Sequence, residues 1–272
     1  MGNLIPPPSL IYKHPGSTLG DPAWALDVYL PMRYNLAVLL IAACTLPLTL
    51  HPRAAEAQTI ESSASVSALS AFIDQGERIS SRPVLQPELA LGIGWLTVGT
   101  FANINAPFGD TQSFKMNQWD VYGTVAFPTG PVETEAGYGY SAVPFYSDGS
   151  LSPEPTHEVF ADAALPVGSF TPRAHALVDL WADSGAFYGE LGLAREVRLG
   201  LNQFAVEAVL AAASGYFTDE LVISHTALQV TYGFDVGTST VEFLGGAQLT
   251  INETYRDLSS RFPVVVGTRL VL

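Results

Sequence analysis

The sequence predicts an all-β protein, an antiparallel transmembrane β-barrel of about 12 strands with periplasmic termini, preceded by a cleavable signal peptide. Three observations predict this fold. Segments of alternating apolar and polar residues repeat from residue 64 to the end, their connections alternate between short and long, and an apolar leader precedes them. Together these features place one face of each strand against lipid and the other against water.

Twelve candidate strands follow from the period-two segments that lie between turn signals. Most are close to the roughly nine to eleven residues that a tilted strand needs to cross a bilayer. An even number of antiparallel strands also brings both ends of a barrel to the same side of the membrane. The candidates are residues 64–73, 86–93, 96–104, 118–127, 132–144, 157–165, 171–182, 185–196, 203–213, 221–234, 238–252 and 262–272.

The connections between these strands favour the same fold, because bacterial barrels have short periplasmic turns and longer external loops. The predicted periplasmic connections are 94–95, 128–131, 166–170, 198–201 and 235–237. The predicted external connections include 74–85, 105–117, 146–156, 214–220 and 253–261. Among the external connections, the turn at Ser184 is predicted to be tight.

Side chains of opposite character alternate within single strands. In the seventh candidate strand, Arg173, His175 and Asp179 share one face, whereas Ala174 and Ala176 share the other. Small apolar side chains suit a face that contacts lipid better than one that must fill a packed core. A secreted β-sandwich is the alternative fold, because it also alternates apolar and polar residues.

Two further features of the apolar face fit a membrane. Trp119 and Phe127 lie at opposite ends of the fourth candidate strand, where the aromatic girdles of a barrel meet the two interfaces. The last strand presents an apolar stripe that suits insertion by outer-membrane assembly machinery. Its predicted outward residues are Val264, Val266, Thr268, Leu270 and Leu272.

The first 57 residues divide into two parts. Residues 1–31 are rich in proline without a clear period, and they are predicted to be disordered or an over-extended start. Residues 32–57 have the pattern of a signal peptide, with Arg33, an apolar stretch and the cleavage motif Ala-Glu-Ala at 55–57. Lipidation at Cys44 is an alternative, because the residues before it resemble a lipoprotein processing site. Residues 58–272 are assigned to the barrel.

Charge and cysteine content limit the possible functions. The formal net charge of −14 belongs to residues 58–272, because the acidic and basic residues before them balance. Such an acidic chain is a poor match for the phosphates of nucleic acid. Cys44 is the single cysteine, so the mature chain has no thiol for disulfides, metal binding or redox chemistry.

The face opposite the apolar one carries many charged side chains and would line the lumen of a barrel. Carboxylates along a narrow aqueous channel favour cations and repel anions. The predicted pore-lining residues are Asp120, Glu133, Glu135, Glu158, Asp162, Arg173, His175, Asp179, Glu190, Glu207, His225, Glu242 and Arg269. Glu88 and Asp183 are predicted to share this face. The sequence thus predicts a passive, cation-preferring channel for small solutes.

The alternatives are a non-conducting structural barrel, whose acids only keep a filled interior solvated, and a barrel that contacts lipopolysaccharide. Bases in the predicted external loops could pair with lipopolysaccharide phosphates or be solvated loop charges. They are Arg78, Arg82, Lys115, Arg256 and Arg261.

An outer-membrane hydrolase is a further alternative with less support. Ser224 and His225 are adjacent in one strand, so we expect them to face opposite sides and not to form a nucleophile and base pair. His157 and Glu158 lack the helical spacing of a zinc protease. The sequence therefore predicts no enzyme, no metal and no cofactor.

Several short motifs of the mature chain are informative together. They are Gln75-Gly76, Pro-Val-Leu-Gln-Pro at 83–87, Gly94-Trp95, Phe-Ala-Asn at 101–103, Gly-Tyr-Gly-Tyr at 137–140, His-Glu-Val-Phe at 157–160 and Tyr-Gly-Glu-Leu-Gly at 188–192. This set resembles a family of outer-membrane β-barrel proteins that are described as porins of unknown substrate. The resemblance implies a barrel and is compatible with a pore. The chain departs from the family at Gln75, where arginine is usual, and at Leu272, where many such barrels end in phenylalanine.

Overall fold

The computed structural model describes residues 60–75, 77–106, 115–142, 155–216, 219–253 and 262–272. The predicted signal peptide, the segment 1–31 and Cys44 lie outside the described residues, as do Arg256 and Arg261. Among the residues described, no helix has both the length and the apolar character that a membrane span requires.

Fourteen β-strands lie in the described part of the chain. They are β1 (Ile60–Leu69), β2 (Phe72–Asp74), β3 (Glu77–Ser80), β4 (Val84–Ile93), β5 (Leu96–Asn105), β6 (Lys115–Thr129), β7 (Val132–Ala142), β8 (Thr156–Ala164), β9 (Phe170–Asp179), β10 (Phe187–Leu199), β11 (Asn202–Ser214), β12 (Val222–Val236), β13 (Ser239–Thr250) and β14 (Val264–Val271).

Twelve of these strands, β1 and β4 to β14, form a closed antiparallel barrel, which confirms the predicted fold class. The first and last strands close it, with Ser65 opposite Val271 and Leu69 opposite Gly267. The backbone hydrogen bond from Leu272 N to Ala64 O, at 2.9 Å, extends this seam by one residue. The closure rules out the β-sandwich, which is built from two separate sheets.

The two ends of the barrel differ in how the strands are connected. At one end, here called the short-turn end, few residues join β4 to β5, β6 to β7, β8 to β9, β10 to β11 and β12 to β13. Gly94 occupies the first position of the two-residue turn between β4 and β5 with φ 62°, a left-handed conformation that suits a hairpin turn and favours glycine. The other end, here called the long-connection end, carries most of the longer connections.

A small hairpin of β2 and β3 lies in the connection between β1 and β4, and the sequence does not predict it. The alternation predicts a first strand over 64–73 and an external loop over 74–85. In the structure β1 stops at Leu69, and the chain then forms a separate two-stranded sheet in which Phe72 pairs with Ser80. Gln75 at the hairpin tip adopts φ 42°, the one positive φ of a non-glycine residue in the described part of the chain.

The predicted tight turn at Ser184 is also wrong. Strand β9 ends at Asp179, and residues 180–186 form the connection, so Asp183 lies in this turn and not on the face of a strand. The reason is local hydrogen bonding, because Trp181 N donates to Asp179 Oδ1 at 2.7 Å. A side-chain acceptor at the end of a strand offers the next backbone amide a partner outside the sheet, which stops the strand there.

Candidate functional site

The interior face of the barrel is recognised by burial, which alternates along single strands. In β6, Gln118, Asp120 and Tyr122 are buried, whereas Trp119 between them is exposed. Since successive side chains point to opposite faces of a sheet, the buried set points inward. In β14, Val264 and the other predicted outward residues are exposed, in agreement with the predicted faces.

Strand register places all the predicted pore-lining residues on this interior face, at different heights. Those nearer the long-connection end are Asp120, Glu158, Asp179, Glu190 and His225. Those nearer the short-turn end are Glu133, Glu135, Asp162, Arg173, Glu207, Glu242 and Arg269, and His175 lies between the two sets. Whether they line a conducting pore is a separate question of function.

Ion pairs neutralise several acids in the half nearer the short-turn end. Arg269 Nη2 lies 2.5 Å from Glu242 Oε2 on the neighbouring strand. Arg173 Nη1 lies 3.8 Å from Glu207 Oε2, a looser contact. His175 Nδ1 is 2.9 Å from Asp162 Oδ1, so this pair is at least hydrogen-bonded and becomes an ion pair when the histidine is protonated.

Acids nearer the long-connection end are held differently. Asp120 accepts hydrogen bonds from Ser141 Oγ at 2.6 Å and from Gln118 Nε2 at 2.9 Å. Glu158 lies opposite Asp179 in the register of β8 and β9, and both side chains are fully buried. Neither carboxylate oxygen of Glu158 has a hydrogen-bond partner among the described residues. No arginine, lysine or histidine in the described ranges forms an ion pair with Asp120, Glu158 or Asp179.

The β2–β3 hairpin folds into the same end of the barrel. Phe72, Asp74 and Ser80 are buried, and the ring of Phe72 lies 6.2 Å from that of Phe101, an inward residue of β5. Ser80 Oγ donates a hydrogen bond of 2.7 Å to Asn105 Oδ1 at the end of β5. These contacts attach the hairpin to the inner wall, so the hairpin occupies part of the lumen near the long-connection end.

A row of rings crosses the inner wall from β8 to β12. His175 lies 6.3 Å from Phe160 and 6.4 Å from Tyr188, and Tyr188 stacks on His225 at 6.3 Å between ring centroids. Leu177 and other buried apolar residues pack with this row. The interior is therefore partly filled at this height. The sequence pattern does not reveal it, because aromatic residues occur on both faces of barrel strands.

Glycines on neighbouring strands make room for inward rings. A Cβ atom added to Gly99 would lie 2.2 Å from Cζ of Tyr122, and one added to Gly137 would lie 2.3 Å from Cζ of Phe160. Both distances are far below van der Waals contact. The Tyr122 hydroxyl then reaches Glu88, donating a 3.0 Å hydrogen bond to Oε1.

The expectation that Ser224 and His225 face opposite sides is wrong. Both side chains are buried, and Ser224 Oγ lies 3.1 Å from His225 Nδ1. The cause is an irregularity in the pairing of β11 with β12, between Ala211 and Ala212, which breaks the strict alternation of faces at this point. Ser224 is 0% exposed, so a substrate could not reach its hydroxyl in this conformation.

The outer face carries two bands of aromatic side chains. At the long-connection end, Trp119 packs edge-on against Tyr140, and His157 contacts both Tyr140 and Trp181. At the short-turn end, Phe243 stacks with Tyr232 and with Phe234. Exposed aliphatic residues lie between the bands, for example Leu191 with 64% and Leu228 with 51% of their surface exposed. This distribution agrees with the girdles predicted from Trp119 and Phe127.

Comparison with known proteins supports the barrel fold. The chain is similar in structure to the COG4313 outer membrane channel from Pseudomonas putida F1, with 10% sequence identity and a TM-score of 0.51 over 81% of this chain and 99% of that chain. A weaker similarity is to the outer membrane channel DcaP of Acinetobacter baumannii, with 10% identity and a TM-score of 0.34 over 82% of this chain and 99% of that chain. The sequence matches no protein-family model and no curated protein.

Proposed function

We propose that this protein is a channel of the bacterial outer membrane that lets small solutes pass passively and prefers cations. One observation carries the proposal: a closed barrel whose outer face is apolar and banded with aromatic residues surrounds an interior lined by charged side chains. In a protein surrounded by water, so continuous an exposed apolar surface would drive association. In a bilayer, the same surface is buried in lipid.

The fold and the position of the two chain ends support a location in the bacterial outer membrane. The outer membrane channel of Pseudomonas putida F1 has a similar fold, and its length is almost fully matched. In the described barrel, the first residues of β1 and the last of β14 both lie at the short-turn end. We assign that end to the periplasm, because bacterial barrels have their short turns there.

The preference for cations rests on the charges of the interior face. Acids outnumber bases among the inward residues named above, and Arg173 and Arg269 are already paired with glutamates. An excess of carboxylates along a confined aqueous path raises the local concentration of cations and lowers that of anions.

Contact with outer-membrane lipids belongs to the same proposal. The aliphatic zone between the aromatic bands would contact acyl chains, and we propose that the exposed Arg78 and Arg82 near the long-connection end contribute positive charge towards lipopolysaccharide phosphates. The apolar outward stripe of β14 is the surface that we propose for the assembly machinery. The absence of enzymatic activity stays a prediction from the sequence.

The test is electrical. The full chain, purified in detergent and inserted into a planar lipid bilayer, should give discrete conductance steps. Across a KCl gradient, its reversal potential should have the sign that indicates a preference for K⁺ over Cl⁻. A reversal potential of the opposite sign would contradict the charge argument. Protein that inserts and shows heat-modifiable migration on a gel, but never conducts, would support the alternative of a structural or lipopolysaccharide-contacting barrel.

A further inference from the structure

The β2–β3 hairpin brings an acidic side chain from outside the barrel wall into the lumen. Asp74, at the end of β2, is 1% exposed although it belongs to a connection between two barrel strands. The hairpin is attached near its base, where Phe72 contacts Phe101 and Ser80 is hydrogen-bonded to Asn105. Its tip therefore extends from the β4–β5 wall into the lumen, where Asp74 is buried.

Inside the lumen, Asp74 lies near a group of wall carboxylates. Glu158 of β8 interacts electrostatically with Asp179 of β9, with Asp120 of β6 and with Asp74 of the hairpin. The group therefore combines three strands of the wall with the hairpin tip. An acidic side chain that projects from the wall into the lumen lies closer to passing ions than acids on the wall alone.

Glu158 points into this group without a partner of its own. Its side chain is 0% exposed, and both carboxylate oxygens lack a hydrogen-bond partner among the described residues. Burying a carboxylate without a partner costs free energy, and a cation nearby offsets that cost. The unpartnered oxygens thus point to a positively charged ligand.

We propose that Asp74 of the hairpin and Asp120, Glu158 and Asp179 of the wall form the constriction that selects cations in this channel. The inference rests on the proposed channel function and deepens it, because it assigns selectivity to one height of the barrel and to a residue from a connecting segment. The ligand is a small cation in transit. The paired acids nearer the short-turn end contribute less, since arginine already compensates Glu207 and Glu242.

The experiment compares isosteric neutral variants by reversal potential in a KCl gradient. Glu158→Gln and Asp74→Asn should each lower the ratio of K⁺ to Cl⁻ permeability about threefold or more, because each removes an acidic group from this zone. The comparison variant is Glu133→Gln, which removes the same charge from an exposed interior position near the short-turn end. Because Glu133 also faces the lumen, the ratio should fall in this variant, but clearly less than in Glu158→Gln and Asp74→Asn.

Folding of the variants is checked by heat-modifiable migration on a gel. Glu158→Gln should fold at least as well as the wild type, because it replaces a buried carboxyl group that has no hydrogen-bond partner among the described residues. Should that variant not fold, Asp179→Asn removes the neighbouring charge and takes its place. As an independent measurement, millimolar Ca²⁺ should reduce the K⁺ current of the wild type and of Glu133→Gln more than that of Asp74→Asn.

The outcomes separate this inference from the proposed function. A wild-type channel without cation preference contradicts the proposed function itself. A cation-preferring wild type whose permeability ratio is unchanged in Asp74→Asn and in the buried-site variants contradicts only the constriction. An equal loss of selectivity in Glu133→Gln would show that the charge acts along the whole lumen and would overturn the assignment to this height.

Discussion

The two halves of the barrel interior hold their acids in different ways. Near the short-turn end, Glu242 lies 2.5 Å from Arg269, and the surrounding interior is open to solvent. Near the long-connection end, Glu158 and Asp120 are buried with no ion pair to a described base, and Asp74 of the β2–β3 hairpin lies near Glu158. The half whose glutamates are paired with arginine is thus the more open one, and the half whose acids have no basic partner is the more filled one.

Under the proposed channel function, this difference assigns different roles to the two halves. A paired carboxylate has its field largely cancelled by its partner, so it attracts passing cations weakly. An unpaired carboxylate under low-dielectric walls attracts them more strongly, and the effect grows as the lumen narrows. We infer that the short-turn half serves mainly as a vestibule and that the long-connection half sets conductance and selectivity.

Removing the hairpin should have the largest effect. Deletion of residues 72–80 leaves β1 joined to β4 by a short connection, since Leu69 already pairs with Val84. We expect single-channel conductance to rise about twofold or more, because a twelve-stranded barrel is wide enough to conduct where nothing fills it. Conductance in planar bilayers measures the change.

Arg78→Lys supplies the control for this deletion, because Arg78 is an exposed hairpin residue and its replacement keeps both the hairpin and its charge in place. Its conductance should match the wild type. A deletion variant with unaltered conductance would show that the hairpin does not narrow the path, and the comparison between the two halves would then lose its basis.

The hairpin is also where the sequence is least informative. Alternation over ten or more residues predicts each barrel strand, because a lipid-facing side and a water-facing side impose a period of two. Strands β2 and β3 have three and four residues, too few to show a period. Ala71, Phe72 and Ile73 are consecutive apolar residues, so the alternation of β1 is lost there, but nothing in these residues indicates a separate hairpin.

Contacts between side chains on neighbouring strands are equally difficult to predict from the sequence. The sequence places Glu242 and Arg269 on inward faces, but only the register of β13 with β14 puts them opposite one another. The contact of Ser224 with His225 depends on an irregularity between β11 and β12, a property of two strands together. Faces can thus be predicted from single strands, whereas contacts require the neighbouring strand.

Packing in the filled half should be sensitive to small additions. In Gly137→Val, the new Cβ would lie 2.3 Å from Cζ of Phe160 and 2.9 Å from the backbone oxygen of Gly123. Overpacking of this kind typically costs about 1–3 kcal/mol. We expect the free energy of unfolding, measured by denaturant titration of the detergent-solubilised protein, to fall by that amount.

Gly245→Val is the matched control, since a Cβ at Gly245 would meet nothing within 4 Å. Its stability should differ from the wild type by less than about 0.5 kcal/mol. Equal destabilisation by the two variants would mean that the loss reflects glycine replacement in a strand generally, and not the packing of Phe160.

The smallest effect is expected in the half with paired charges. Arg269→Met leaves Glu242 without its partner, and the side chains of the pair are 27% and 12% exposed. Because solvent screens a pair of this exposure, we expect a loss of about 1 kcal/mol, below the cost of breaking a fully buried pair. Arg173→Met should cost less, since its pair is longer, at 3.8 Å, and more exposed.

The same two arginine variants also test the assignment of roles to the halves. Each adds one net negative charge to the interior near the short-turn end, so each should shift the permeability ratio towards K⁺ only slightly if that end is a wide vestibule. A shift as large in size as that from Glu158→Gln would place the selective zone near the short-turn end. A small shift together with the measured loss of stability would mean that Arg269 chiefly compensates a wall carboxylate, which is the role that its geometry indicates.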